Sequence, residues 1–154
     1  MDADIIEDCL QRAAELSTVW AVVREQNEDG DAWIVVLEDE SLLDVEHDPE
    51  SGRLVLRTKL GQITQADTRA VFNDLLVRCA SAFELPRIGM GPEHRYELLA
   101  SWPIDPMQID GLTALLNRVT TQARAWRDIV ARPLNLDGSP LTCAQPLDTL
   151  ALKA

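Results

Sequence analysis

Between residues 4 and 16 the apolar side chains Ile6, Cys9, Leu10, Ala13 and Leu16 recur at steps of three and four, with Glu7, Asp8, Gln11, Arg12 and Glu15 between them. That spacing gathers the apolar groups on one side of a helix and predicts an amphipathic helix over 4–16. The next segment, 17–26, reads two ways. Trp20 and Val23 continue the helical stripe, yet Val19 to Val23 is also an apolar run of strand length. In the second case Asn27-Glu28-Asp29-Gly30-Asp31 is the turn into the next strand.

Three strands follow. Trp33 to Glu38 is apolar on both faces, with Ile34 and Val36 on one and Trp33, Val35 and Leu37 on the other. Such a strand is covered on both sides, by the domain's own core or by another chain. Trp33 therefore belongs either to the core or to the edge of a binding surface. From Leu42 to Asp48 the period is two: Leu43, Val45 and His47 share one face, and Leu42, Asp44, Glu46 and Asp48 the other. Arg53 to Leu60 repeats it, with Leu54, Leu56, Thr58 and Leu60 opposite Arg53, Val55, Arg57 and Lys59. Between them Pro49-Glu50-Ser51-Gly52 supplies the residues of a four-residue hairpin loop. The loop length sets the register, placing Asp48 across from Arg53 and Asp44 across from Arg57.

Thr64, with Asp67 three residues on, has the form of a capping box opening a second helix. Its apolar face is Val71, Phe72, Leu75, Leu76, Cys79 and Phe83, and Pro86 lies beyond its end. Tyr96, Leu98, Ala100 and Trp102 alternate as a strand, to which Arg87–Met90 pairs through the Gly91-Pro92 turn. Asp105-Pro106 then offers a helix N-cap followed by proline at the first helical position. Ile109, Leu112, Leu116, Val119, Ala123, Trp126 and Val130 run down a last helix that reaches at least Ile129. Past Pro133 neither period survives. The expectation is one domain over 1–132 and a loosely ordered tail over 133–154, whose Leu147, Leu150 and Leu152 are able to dock on the body. The predicted architecture is α+β: a twisted antiparallel sheet of about five strands with three helices, in the order α-β-β-β-α-β-β-α.

Composition narrows the class. A chain of 154 residues, 46% apolar, suits one core that buries roughly 70% of its unfolded surface. No apolar run is long enough to span a bilayer, and the acidic start Met1-Asp2-Ala3-Asp4 is unlike a signal peptide. A cytoplasmic location is expected. A net charge of −12 repels phosphate backbones and anionic lipid, so neither nucleic acid nor membrane is an expected partner.

Chemistry is sparse. Cys9, Cys79 and Cys143 show no CxxC or CxxH spacing, and Cys9 and Cys79 fall on apolar helical positions, where a free thiol acts as a small hydrophobe. Asn27–Asp31 aligns with an EF-hand loop only until position twelve, which needs glutamate and is Val36. In the acidic group Glu38, Asp39, Glu40, Asp44, Glu46 and Asp48, alternation turns His47 away from its neighbours and weakens a metal site. Gly89-Met90-Gly91 is followed by no lysine and no helix start, so it is no phosphate loop. No serine sits in a nucleophile elbow. Metal, cofactor and catalytic residues are all expected to be none, and the protein is read as a non-enzyme.

With this element order in place, several stretches resemble the class I type III secretion chaperones, the Tir-chaperone-like family, over about residues 4–130. Trp33-Ile34-Val35-Val36-Leu37-Glu38-Asp39-Glu40 with Leu43-Asp44-Val45-Glu46 resembles that family's first hairpin. Leu54-Val55-Leu56-Arg57-Thr58-Lys59-Leu60-Gly61 resembles its third strand. Val71-Phe72-Asn73-Asp74-Leu75-Leu76 resembles its second helix, Tyr96-Glu97-Leu98-Leu99 a later strand, and Ala123-Arg124-Ala125-Trp126-Arg127 the end of its last helix. The segment 17–31 is longer than the family's usual link at that point.

The resemblance implies a bacterial homodimer packed through the second helix, with Val71, Phe72, Leu75 and Leu76 at the dimer interface. It implies an effector-binding surface from Ile6, Leu10, Ile34, Val36 and Leu43, which receives the N-terminal segment of a secreted effector and keeps it partly unfolded without ATP. A regulatory or antagonist module using the same scaffold on a folded partner is the alternative.

Overall fold

The computed structural model describes residues 2–27, 30–80, 86–105 and 108–132. The expectations for Phe83, Pro106, Cys143 and the tail 133–154 lie outside the described residues. In chain order the elements are α1 (Ala3–Glu15), β1 (Val19–Asn27), β2 (Gly30–Leu37), β3 (Leu42–Asp48), β4 (Arg53–Gln62), α2 (Ala66–Cys79), β5 (Arg87–Met90), β6 (Arg95–Pro103) and α3 (Ile109–Ala131).

The strands form one antiparallel sheet of six in the order β1-β2-β3-β4-β6-β5. The fold class is α+β as expected, with one strand more than the five predicted. The extra strand is β1, which resolves the ambiguity over 17–26 and accounts for the length of that link. Its pairing with β2 shifts register between Val19 and Ala21, a bulge that carries Trp20.

The β3–β4 hairpin has the predicted register, with Asp44 opposite Arg57 and Asp48 opposite Arg53. The charges use that register differently from expectation. Asp48 accepts hydrogen bonds from the Glu50 and Ser51 amides and the Ser51 hydroxyl, closing the loop itself. Arg53 instead donates to the Ser101 hydroxyl at 2.7 Å.

All three helices cover one face of the sheet. The side chains of Trp33, Val35, Leu37, Leu43, Val45, Leu54, Leu56, Leu98 and Ala100 meet Ile6, Cys9, Leu10 and Ala13 of α1 and Leu116, Val119 and Ala123 of α3 in one core. Trp33 is fully buried, so of its two readings the core is the one realised. At the β6 end Phe72 of α2 stands edge-on to Tyr96 at 4.7 Å and to Trp126 at 5.8 Å between ring centroids. The Tyr96 hydroxyl donates to Asn73 Oδ1 at 2.7 Å, which satisfies the polar tip of a ring buried in apolar surroundings.

Three local expectations need correction. Thr64 caps nothing: α2 starts after Gln65, whose side chain makes no capping bond to the backbone and instead accepts from the Thr68 hydroxyl. Asp105 lies three residues short of the α3 N-cap, Gln108, and its carbonyl accepts from the Gln108 amide at 2.9 Å. Cys79 is disulfide-bonded rather than free. Bridging depends on spatial approach, which spacing along the chain does not reveal. Cys9 is free and buried.

A partly buried polar clasp ties α3 to the sheet. Arg127 donates to Asp39 Oδ2 (2.8 Å), the Lys59 carbonyl (2.9 Å) and the Thr58 hydroxyl (2.7 Å). Thr58 in turn donates to the Leu42 carbonyl. One guanidinium thus fixes the β2–β3 turn, the end of β4 and the last helix together. Near it Gly61, at φ 129°, interrupts the β4–β6 ladder, and a Cβ there would lie 3.0 Å from Val130 Cγ1. The glycine is required for both the backbone angle and the close approach of α3.

Candidate functional site: the uncovered sheet face

Because the helices share one side, no layer of the described residues lies over the opposite face of the sheet. Alternation decides what it carries, and the strand registers place those residues in rows. One row runs Ala21, Val36, Leu42; the next runs Val23, Ile34, Asp44, Arg57, Leu99; a third runs Glu25, Ala32, Glu46, Val55, Ser101. The β1 end of this face is apolar: Val23 is 54% exposed and Leu42 51%, and Trp20, in the bulge at the start of β1, is 63% exposed. Singly exposed apolar residues are ordinary, but adjacent ones on one uncovered face mark an interaction surface.

The edge is open as well. β1 is an outer strand of nine residues with β2 on one side only, whereas β5 at the far edge has four residues. A long edge strand presents unpaired amides and carbonyls to any extended chain. β1 is held firmly to the body: Arg24 reaches Asp4 of α1 at 2.8 Å and Asp31 of β2 at 2.7 Å.

Toward the middle of the face lies a depression of about 200 Å³, bordered by Ala32 and Ile34 and by the carboxylates of Glu25, Asp44, Glu46 and Glu97. Arg57 and Lys59 also line it. Arg57 contacts Glu46 at 3.5 Å. Among the described residues, Glu25, Asp44, Glu97 and Lys59 form no ion pair.

The residues expected to receive an effector divide between the two faces. Ile34 and Val36 lie half-buried on the uncovered face, while Ile6, Leu10 and Leu43 are fully buried in the core. The residues expected at a dimer interface divide too. Phe72 and Leu75 point inward, and Val71 and Leu76 are half-buried. Val77, not singled out from sequence, is 76% exposed on the same helix. Trp20, Val23 and Leu42 were also passed over. Leu42 was legible as a signal, being an apolar residue on a strand face whose other members, Asp44, Glu46 and Asp48, are charged.

Nucleophilic or metal chemistry finds little support. Burial, and then the adjacent Asp8 carboxylate, push the Cys9 thiol up, away from the reactive thiolate. No group of three metal-ligating side chains converges among the described residues, and none of the described helices is long and apolar enough to cross a membrane.

No family model and no curated protein matches the sequence. Five chains of solved structures match the fold. One of them comes from the structure of the HopA1-SchA chaperone-effector complex, with a TM-score of 0.58 over 83% of this chain and 98% of that one, at 16% identity. The chain has the α+β fold of the secretion chaperones, as the sequence resemblance implied.

Proposed function

We propose that this protein is a type III secretion chaperone that binds the N-terminal region of a secreted effector and keeps it partly unfolded and competent for export. The observation that carries the reading is the uncovered sheet face: an apolar strip of Trp20, Val23, Val36 and Leu42 beside an open nine-residue edge strand. A surface of that kind suits an extended chain, which gains main-chain hydrogen bonds at the edge and burial of alternate side chains on the face. The fold likeness to a chain of a chaperone-effector complex supports the same reading. Binding consumes no nucleotide, because covering the effector's apolar segment is itself what keeps that segment unfolded. Residues 1–132 act as the binding domain, and the protein works in the bacterial cytoplasm.

In this reading the protein is a homodimer joined through α2. Since Phe72 and Leu75 serve the core, the contact falls to Val71, Leu76 and Val77. The test is purification of the tagged protein from its native cells, with the complex sized by light scattering and digested with protease. The expected result is a dimer carrying one larger protein that is protected only near its N-terminus. A lone monomer, or a complex with a partner folded throughout, overturns the reading.

A further inference from the structure

The depression on the uncovered face has a charge imbalance that selects its occupant. Three carboxylates around it, Glu25, Asp44 and Glu97, have no ion pair among the described residues, against one cation in the same condition, Lys59. Asp44 lies directly opposite Arg57 in the ladder, yet Arg57 contacts Glu46. At about 200 Å³ the depression is below the roughly 300–1,000 Å³ typical of small-molecule sites. It suits one or two side chains of a larger partner. The apolar row of Ala21, Val36 and Leu42 lies beside it, one step along the strands.

We infer that the partner segment laid on this face is extended and alternates apolar with basic side chains, its successive lysines or arginines lying beside Glu25, Asp44 and Glu97, which are spread across the sheet from β1 to β6, while its apolar groups cover Trp20, Val36 and Leu42. The inference rests on the binding role proposed above and adds the chemistry that selects the partner. Other occupants are opposed by charge. A second copy using the same face would set carboxylates against carboxylates, since a two-fold contact is self-complementary. The chain's own residues 133–154 contain a single cation, Lys153, with Asp137 and Asp148. A cationic segment gains on approach as well as on contact, because a field of one sign over a concave surface steers its counter-charge.

The test uses the full chain and a fluorescein-labelled peptide of about twelve residues that alternates valine or leucine with arginine, enough to span the strand length of the face. Anisotropy titrations are run at about 50 and about 500 mM salt, where exposed pairs differ strongly in screening. The expected result is binding that weakens at least about fivefold in high salt. Asp44→Lys and Glu25→Lys should each weaken it about tenfold, while Asp128→Lys, an exposed change on α3, leaves it unaltered. A peptide with glutamate in place of arginine should not bind. Equal binding of the glutamate peptide, failure of the arginine peptide to bind, or indifference to both reversals in variants with unchanged circular dichroism overturns the inference. A change of oligomeric state in Asp44→Lys also overturns it, by assigning the face to a second copy. Capture of a protease-protected N-terminal segment that ignores these charges overturns this inference alone, whereas a lone monomer from native cells overturns the function.

Discussion

Asp44 stands directly opposite Arg57 in the β3–β4 ladder, yet the guanidinium lies 3.5 Å from Glu46. The fold therefore makes no visible use of the Asp44 carboxylate. We expect Asp44→Asn to change stability by no more than about 0.5 kcal/mol, the usual range for a surface substitution, measured by urea unfolding. A loss above about 1 kcal/mol would show that Asp44 is bound into the fold.

Arg127 and Asp39 meet in a clasp that is about three-quarters buried. Arg127→Ala removes three hydrogen bonds and leaves the Thr58 hydroxyl and the Asp39 carboxylate short of a partner. We expect a loss of about 1–3 kcal/mol in chemical unfolding. Lys in place of Arg should restore only part of it, since an ammonium cannot reproduce the planar fork.

The same clasp predicts a pH dependence. Burial raises the Asp39 pKa, but the hydroxyl and amide of Ser41 and the Arg127 guanidinium outweigh it and hold the carboxyl below its ordinary value of 3.8. A pKa depressed in the folded state adds stability above the unfolded value and loses it as pH falls through the folded one. The contribution should thus be complete at neutral pH and decline below about pH 4. Asp39→Asn should be less stable at pH 7 and show a shallower loss on acidification, followed by thermal unfolding at a series of pH values. An unchanged slope would remove Asp39 from the account.

α2 separates core from surface within one helix. Phe72→Ala empties the space between Tyr96 and Trp126 and should cost about 3–5 kcal/mol. Val77→Asp alters an exposed position and should leave the unfolding midpoint nearly unchanged while shifting sedimentation toward monomer. If Val77→Asp leaves a dimer intact, the dimer contact is elsewhere.

Gly61→Ala forces a side chain onto a backbone at φ 129° and toward Val130. A loss of about 1–3 kcal/mol is expected, read from the shift in unfolding midpoint. A midpoint within error of the parent would show that α3 yields at no cost.

Much of the fold was legible because the determining signals were local. Strict alternation on both sides of Pro49-Glu50-Ser51-Gly52 dictated a hairpin and its register, and Arg87–Met90 followed from its turn. β1 was ambiguous for a physical reason. A strand exposed at an edge and bearing Trp20 and Val23 on its open side satisfies both the helical and the strand period. The helix starts were missed because Thr64 and Asp105 have cap chemistry without the backbone position that uses it. Of the residues that the family resemblance implied for a partner surface, Ile34 and Val36 lie on the open face, and Ile6, Leu10 and Leu43 lie inside the core. Alternation says which strand residues share a face but not which face the helices cover.

In the proposed role, placing the described helices on one side of the sheet separates the surface offered to a partner from the surface that holds the core. A segment laid on the open face would change which side chains water reaches, while Trp33, Leu43 and Leu56 stay packed on the other side of the same strands.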